Sequence, residues 1–115
     1  MLVVYAIIDR RTLEKIYVGS TKNQYHRFKS HKSYCCNPLA HNYSQYVYQF
    51  IRANGGWDNN YECVVLWQMP SHVSPSFVRM VEQMEINNNK NTVKNKMNAY
   101  SGSLENVTIT DIVQQ

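Results

Sequence analysis

The sequence predicts an α/β fold of the α+β type, in which a small three-stranded, largely antiparallel sheet is flanked by helices. Two N-terminal segments, near residues 3–8 and 15–19, are rich in β-branched and aromatic residues and are joined by a polar connector of hairpin length. A third segment of the same character, near residues 61–68, ends before Pro70, a residue that cannot donate a hydrogen bond within a sheet. Apolar residues at helical spacing fill the stretches between and after these strands.

Three helices are predicted from this spacing, near residues 21–34, 43–54 and 75–87. Ser20-Thr21 offers an N-cap for the first helix, because a hydroxyl can accept a hydrogen bond from a free N–H of the first turn. Gly55-Gly56 ends the second helix, since glycine readily adopts the left-handed conformation that is common there. Ser74-Pro75 begins the third helix, with a capping serine followed by proline at the first helical position.

Length and composition match one modest domain with a single core. The chain has 115 residues, of which 43% are hydrophobic and 17% are charged. We expect residues 1–100 to form this domain and residues 101–115 to form a C-terminal tail, with a short extra strand possible at 107–110. The apolar N-terminal stretch is too short for a signal peptide or a membrane span. We therefore expect a protein that is not secreted and not in a membrane. It would lie in the cytoplasm or together with nucleic acid. The second location would be the nucleus if the protein comes from a eukaryotic or viral host.

Charge and cysteine content restrict the partners and the compartment only mildly. The net charge of +4 and the pI near 9.0 suit a polyanionic partner, but many proteins that never bind nucleic acid share these values. The three cysteines, two of them adjacent, form neither a disulfide framework nor a metal-ligand spacing. They favour a structural role in a reducing compartment.

The first two predicted strands carry a pair of tyrosines, Tyr5 and Tyr17. Side chains alternate along a strand, so each tyrosine shares a face with every second residue of its own strand. If Ile7 pairs with Lys15, the two tyrosines are near-opposite neighbours on one face of the sheet, with Lys15 beside them. The sequence therefore predicts a polar cluster on a sheet face that would ordinarily hold apolar residues. Taken alone, however, tyrosines in strands are more often packing residues than functional ones.

Two tripeptides on these strands, Val3-Val4-Tyr5 and Tyr17-Val18-Gly19, resemble the pair that names the GIY-YIG nuclease family. Val3 departs from the family pattern, which has glycine at that position. The other elements of the resemblance occur in the family's order. They are a lysine two residues before the second tyrosine, an arginine followed four residues later by a histidine, a glutamate in a late helix and a closing asparagine, here Lys15, Arg27, His31, Glu82 and Asn95. The resemblance runs from about residue 3 to residue 100.

This resemblance implies a metal-dependent DNA endonuclease that hydrolyses phosphodiester bonds. The catalytic residues that it implies are Tyr5, Tyr17, Arg27, His31 and Glu82, and the substrate-binding residues are Lys15, Gly19 and Asn95. Glu82 would hold one Mg²⁺ (or Mn²⁺), and Arg27 would grip the scissile phosphate with its planar fork of N–H groups. His31 would relay a proton or hold a tyrosine through a hydrogen bond.

The attacking water needs a base, and the two tyrosines are the candidates. A free phenol has a pKa of about 10, so a phenolic base needs a lowered pKa. The positive charges of Lys15, His31 and Arg27 could supply that lowering. Tyr5 is the preferred base and Tyr17 its partner, although the sequence does not separate the two roles.

Each of these residues also has an ordinary structural explanation. Arg27 and His31 could lie on a solvated helix face, and Glu82 could do no more than pair with Arg79 on the same helix. Glu85 lies three residues after Glu82, and helical geometry alone does not choose between the two as metal ligand. Two other functions therefore stay open. One is a nucleic-acid-binding protein of the same fold that has lost catalysis, and the other is an interaction domain in which the motifs are coincidental.

The implied partner is DNA, with RNA as a second possible substrate and with no membrane. The sequence contains no segment that looks like a separate DNA-binding domain, so specificity would come from loops, from a partner chain or from dimerisation. A single site cuts one strand, and the expected state is a monomer or a homodimer.

Overall fold

The computed structural model describes residues 1–95. Its six elements, in chain order, are β1 (Leu2–Asp9), β2 (Lys15–Thr21), α1 (Gln24–Cys36), α2 (Tyr46–Ala53), β3 (Tyr61–Met69) and α3 (Pro75–Asn88). The three strands form one antiparallel sheet in the order β2-β1-β3. The predicted α+β class is therefore confirmed for this part of the chain. The predicted tail, residues 101–115, and the end of the predicted domain, residues 96–100, lie outside the described residues.

The helices begin where side chains can satisfy their free N–H groups. Asn23 caps α1 by accepting a hydrogen bond from the backbone N–H of His26 at 3.1 Å. The predicted cap at Ser20-Thr21 is wrong, because both residues belong to β2, which stays paired with β1 as far as its last residue. Ser74 caps α3 as predicted, by accepting a hydrogen bond from the N–H of Phe77 at 3.1 Å.

The hairpin between β1 and β2 has a different register from the predicted one. Ile7 lies opposite Tyr17 and Tyr5 lies opposite Gly19, so the pairing is shifted by two positions from the expected pair of Ile7 and Lys15. Because side chains alternate, a shift by two positions keeps each side chain on its face, and the two tyrosines still share one face. A β-bulge follows Ile7 and changes the direction of the side chains at the start of β2.

The sheet is covered on both faces, and each face has its own apolar cluster. One cluster lies between the sheet and α3, and its buried members are Leu2, Val4, Val18, Met69, Val78, Val81, Met84 and Ile86. The other lies between the sheet and the pair α1 and α2, and its buried members are Ile7, Ile16, Cys35, Val47, Tyr48, Ile51, Trp57 and Tyr61. β1 contributes to both clusters and pairs with both of the other strands, so it is the central element of the fold. Within residues 1–95, no helix is long and apolar enough to cross a membrane.

β2 is an edge strand, and the segment that follows α3 covers part of its outer edge. The backbone N–H of Lys94 donates to the carbonyl of Ile16 at 2.6 Å. The side-chain amide of Asn95 takes the place of a neighbouring strand at Val18, donating to its carbonyl at 2.8 Å and accepting from its N–H at 3.1 Å. Residues 19–21 of β2 lie beyond these contacts. The first of them, Gly19, is a predicted site residue and lies next to Tyr5 and Tyr17.

Candidate functional site

A buried polar cluster lies between the hairpin and α1. Tyr5 is 0% exposed, and its hydroxyl accepts a hydrogen bond from Nε of Arg27 at 3.2 Å. The same hydroxyl is hydrogen bonded to Nε2 of His31 at 2.5 Å. Arg27 and His31 are one turn apart on α1, so both side chains reach the same phenol. The structure therefore brings together three of the predicted catalytic residues.

Tyr17 adds a second phenol from β2. The centre of its ring lies 6.3 Å from that of Tyr5 and 5.1 Å from that of His31, and the residue is half-buried. Gly19 makes this packing possible, because a Cβ at that position would lie 2.8 Å from the hydroxyl oxygen of Tyr5 and 2.9 Å from Cε1 of Tyr17. The structure thus gives Gly19 a packing role, and its contact with substrate stays a prediction.

Burial holds Tyr5 in its neutral form. Desolvation raises the pKa of the Tyr5 phenol far above its ordinary value, and the neighbouring Tyr17 raises it further. The hydrogen bond and the charge of Arg27 oppose this increase but do not cancel it. The expected lowering of the pKa of Tyr5 is therefore wrong, because desolvation outweighs the nearby positive charge. Tyr17, which is only half-buried, is the phenol better placed to meet a water molecule.

His31 is enclosed by phenols at both of its ring nitrogens. Nδ1 lies 2.8 Å from the hydroxyl of Tyr48, while Nε2 faces Tyr5. Burial, and after it the positive charge of Arg27, lowers the pKa of His31 to about 3. His31 is therefore neutral near pH 7, donating through one nitrogen and accepting through the other. It holds Tyr5 through a hydrogen bond, which is one of the two roles expected for it.

Tyr48 belongs to the cluster although no motif in the sequence marks it. It is 2% exposed and lies on α2, with Val47 and Ile51 as its buried neighbours. These three residues occupy adjacent positions on one helix face, and this spacing is the signal in the sequence that points to Tyr48. Its contact with His31 depends on how α2 packs against α1, which a local pattern does not report.

We expect the buried His31 to make stability depend on pH. In an unfolded chain the pKa of histidine is about 6.5, whereas folding lowers the pKa of His31 to about 3. Between these values the unfolded chain binds a proton that the folded chain does not bind. The free energy of unfolding should therefore fall as the pH is lowered through this window, by about 1.4 kcal/mol per pH unit from this group. Urea unfolding measured from about pH 6.5 down to about pH 5 checks this.

The variant His31→Gln should flatten this dependence, because glutamine does not titrate. His26→Gln is the matched control, since His26 lies on the same helix but is exposed, and it should leave the dependence unchanged. An equal pH dependence in the wild type and in His31→Gln would contradict a neutral, buried His31.

Glu82 lies on the opposite side of β2 from the phenols. It is half-buried on α3 and has a hydrogen-bonding contact with the side chain of Ser20. Burial raises the pKa of Glu82, while that contact and the charge of Arg79 oppose the increase. Gly19 faces the phenols and the next residue, Ser20, faces Glu82, as successive residues of a strand do. Among residues 1–95, no hydrogen bond or ion pair joins Glu82 to the cluster formed by Tyr5, Tyr17, Arg27 and His31, which we call the phenol cluster. These two halves of the predicted site lie on opposite faces of the sheet and meet only at neighbouring residues of β2.

Lys15 and Glu85 belong to the framework around the site. Nζ of Lys15 lies 3.3 Å from Oε2 of Glu85, and Nε1 of Trp67 donates to Oε1 at 2.9 Å. The expected position of Lys15 beside the tyrosines is wrong, because after the bulge in the hairpin Lys15 is directed towards α3. Both carboxylate oxygens of Glu85 are engaged by the protein, so Glu82 is the better placed of the two glutamates to bind a ligand.

Asn95 is engaged by the protein in a similar way. Its side-chain oxygen and nitrogen both bond to the backbone of Val18. An amide used in this manner keeps one N–H hydrogen for a further acceptor. The structure gives Asn95 the role of covering the edge of β2, and its contact with substrate stays a prediction.

Glu82 lines a cavity of about 540 Å³ between the end of β2 and the start of α3, where Ser20, Thr21 and Ser71 add hydroxyl groups. Mg²⁺ prefers oxygen ligands, keeps several waters and is often held by one or two carboxylates together with substrate phosphates. A single carboxylate among hydroxyls fits that preference. Among residues 1–95, no three His, Cys, Asp or Glu side chains cluster closely enough to hold a metal ion by themselves. A second cavity, of about 580 Å³ between α1 and β3, is lined by none of the predicted site residues.

Together these groups place a half-buried guanidinium, a half-buried phenol and a carboxylate around the end of an edge strand. Such a set can bind a phosphate and orient a water molecule beside it. Comparisons of the chain with protein-family models, with curated proteins and with solved structures find no match.

Proposed function

We propose that this chain is a metal-dependent endonuclease that hydrolyses phosphodiester bonds in DNA, as its resemblance to the GIY-YIG family implies. The observation that supports this most is the hydrogen bonding of both Arg27 and His31 to Tyr5. If the motifs were coincidental, an arginine and a histidine on this helix would be expected to face solvent. Instead, residues that are far apart in the sequence converge on one buried hydroxyl group.

Arg27 is the proposed phosphate-binding residue. Burial by itself would lower the pKa of Arg27, but its hydrogen bond to Tyr5 and the neighbouring Tyr17 raise it above its ordinary value, so the guanidinium stays charged. Nε is used on the Tyr5 hydroxyl, and the guanidinium also has a hydrogen-bonding contact with the side chain of Tyr17. These contacts restrain the plane of the guanidinium and leave its remaining terminal N–H groups for phosphate oxygens. A charge held in this way is preorganised for the negative charge that develops in the transition state.

Tyr17 is the proposed residue that positions the attacking water, in place of Tyr5. The Tyr5 hydroxyl is buried and already shared by Arg27 and His31, so we assign it the task of holding these two side chains. During hydrolysis the water oxygen bonds to phosphorus, the bond from phosphorus to the leaving sugar oxygen breaks, and a proton from the water ends on that oxygen. Tyr17 is half-buried and lies beside Arg27, so a water held by its hydroxyl would be near a phosphate held by the guanidinium.

Glu82 is the proposed ligand for one divalent cation, Mg²⁺ or Mn²⁺. When bound there, the cation would supply positive charge to the phosphate and to the leaving oxygen. The phenol cluster packs against Gly19, and Glu82 contacts Ser20, the next residue of β2. A phosphate lying over this part of the edge would therefore face Arg27 from one side and Glu82 from the other.

Incubation of the purified chain with supercoiled plasmid tests this proposal. With Mg²⁺ or Mn²⁺ we expect nicked circles first and linear product later, because one site cuts one strand at a time, and no product once a chelator is present. The Glu82→Gln variant, prepared identically, controls for contaminating nucleases. A plasmid that is bound but never cut would favour the nucleic-acid-binding protein without catalysis, and a plasmid that is neither bound nor cut would contradict both functions.

A further inference from the structure

The cavity beside Glu82 has an uneven distribution of charge. Its walls carry two exposed cations from different parts of the fold, Lys22 from the loop between β2 and α1 and Arg79 from α3. In the part of the chain that the structure describes, neither Lys22 nor Arg79 takes part in an ion pair. Among the described residues that line the cavity, Glu82 alone is acidic. The cavity therefore keeps a net positive charge near pH 7.

The shape and floor of the cavity indicate what kind of anion would fit. Its floor is apolar and is formed by the buried Leu2 and Val78 with the half-buried Val73. Its volume of about 540 Å³ lies within the range of sites that bind small molecules. The carboxylate of Glu82 balances one of the two positive charges and interacts with Arg79, so one positive charge of the cavity is left for a further anion. Cationic walls above an apolar floor suit a nucleotide, which has an anionic phosphate and an apolar face on its sugar.

We infer that this cavity binds the nucleotide next to the scissile phosphate, with the phosphate of that nucleotide held between Lys22 and Arg79. The inference rests on the proposed function, because it takes the anion to be a nucleic-acid phosphate. Arg27 would bind the scissile phosphate on one side of the edge of β2, and the two cations of the cavity would bind its neighbour on the other side. The substrate strand would then cross β2 at Gly19 and Ser20, so Lys22 and Arg79 are positioning residues that do not touch the reacting atoms.

The salt dependence of DNA binding tests this inference without relying on cleavage. A fluorescent DNA duplex is titrated with the protein in Ca²⁺, which suppresses cutting, at a series of salt concentrations. Each phosphate contact contributes about 0.9 to the slope of log affinity against log salt. Because Lys22 and Arg79 share one phosphate, the double variant Lys22→Ala/Arg79→Ala should reduce the slope by about this amount, and each single variant by a smaller part of it. Arg79→Lys should keep the wild-type slope, because a point charge is sufficient for this contact.

Lys29→Ala and Lys90→Ala are matched controls, because both lysines are exposed, carry the same charge and lie outside this cavity. They should leave the slope nearly unchanged. Equal changes in the Lys22, Arg79 and control variants would indicate a diffuse attraction and would overturn the inference, as would a wild-type protein that does not bind DNA. Thermal unfolding of each variant should match the wild type, because exposed side chains of this kind contribute little to stability.

The results separate this inference from the proposed function. If the wild type cuts plasmid while the Lys22 and Arg79 variants keep the wild-type slope, the nuclease proposal stands and the inference is wrong. If plasmid is bound but not cut while the slope falls in these two variants, the cavity is a phosphate site of a nucleic-acid-binding protein and the proposed hydrolysis is wrong.

Discussion

Replacing Glu82 with glutamine is expected to abolish DNA cleavage while leaving the fold and DNA binding intact. Glutamine keeps the size of the side chain and an oxygen that can accept the hydrogen bond from Ser20. It loses the negative charge that would hold a divalent cation. Glu82→Ala should have the same effect on turnover. Single-turnover cleavage of plasmid, with DNA binding measured in the presence of a chelator, checks both parts of this prediction.

Glu85→Gln is the matched control, one turn further along the same helix. Glu85 contacts Lys15 and Trp67, so the loss of its charge should weaken the packing of α3 against the sheet. We expect the free energy of unfolding to fall by about 1–3 kcal/mol, with cleavage retained while the protein remains folded. If Glu85→Ala abolishes cleavage in folded protein and Glu82→Ala does not, the metal ligand has been assigned to the wrong glutamate.

The strands and the start of α3 could be predicted because local signals determine them. The β-branched and aromatic run near residues 61–68 forms β3, and Ser74-Pro75 begins α3 as expected. The hairpin register depends instead on pairing at both edges of β1 and on a bulge, neither of which the local sequence reports. That is why Lys15 was expected beside the tyrosines and lies against Glu85.

In the candidate site, too, the features set by local spacing could be predicted from the sequence, and those set by tertiary packing could not. The spacing of Arg27 and His31 on one helix placed them together correctly, because residues four apart lie on one helix face. The rise in the pKa of Tyr5 could not be predicted from its charged neighbours, since it depends on how completely the fold buries the phenol. The contact of Tyr48 with His31 required the packing of α2 against α1. Glu82 is separated from the phenols because α3, which carries it, covers one face of the sheet while α1 and α2 cover the other.

Replacing Arg27 with lysine is expected to slow cleavage by about a hundredfold or more while changing DNA affinity little. Lysine keeps the positive charge but has a single nitrogen in place of the planar guanidinium, whose Nε is bonded to Tyr5. Its three N–H groups radiate from that one nitrogen, so it lacks the planar fork that grips two phosphate oxygens while Nε holds the phenol. Because the contact with the phosphate would be strongest in the transition state, its loss should reduce the rate of the chemical step more than the affinity.

Single-turnover rates at saturating enzyme, measured alongside binding in Ca²⁺, separate the effect of Arg27→Lys on rate from its effect on affinity. Arg10→Lys is the matched control, since Arg10 is exposed at the hairpin turn and should change neither quantity by more than about twofold. A near-wild-type rate for Arg27→Lys would leave Arg27 as a docking contact at most. A guanidinium that stabilises the transition state through two oriented N–H groups cannot be replaced by a point charge without a loss of rate.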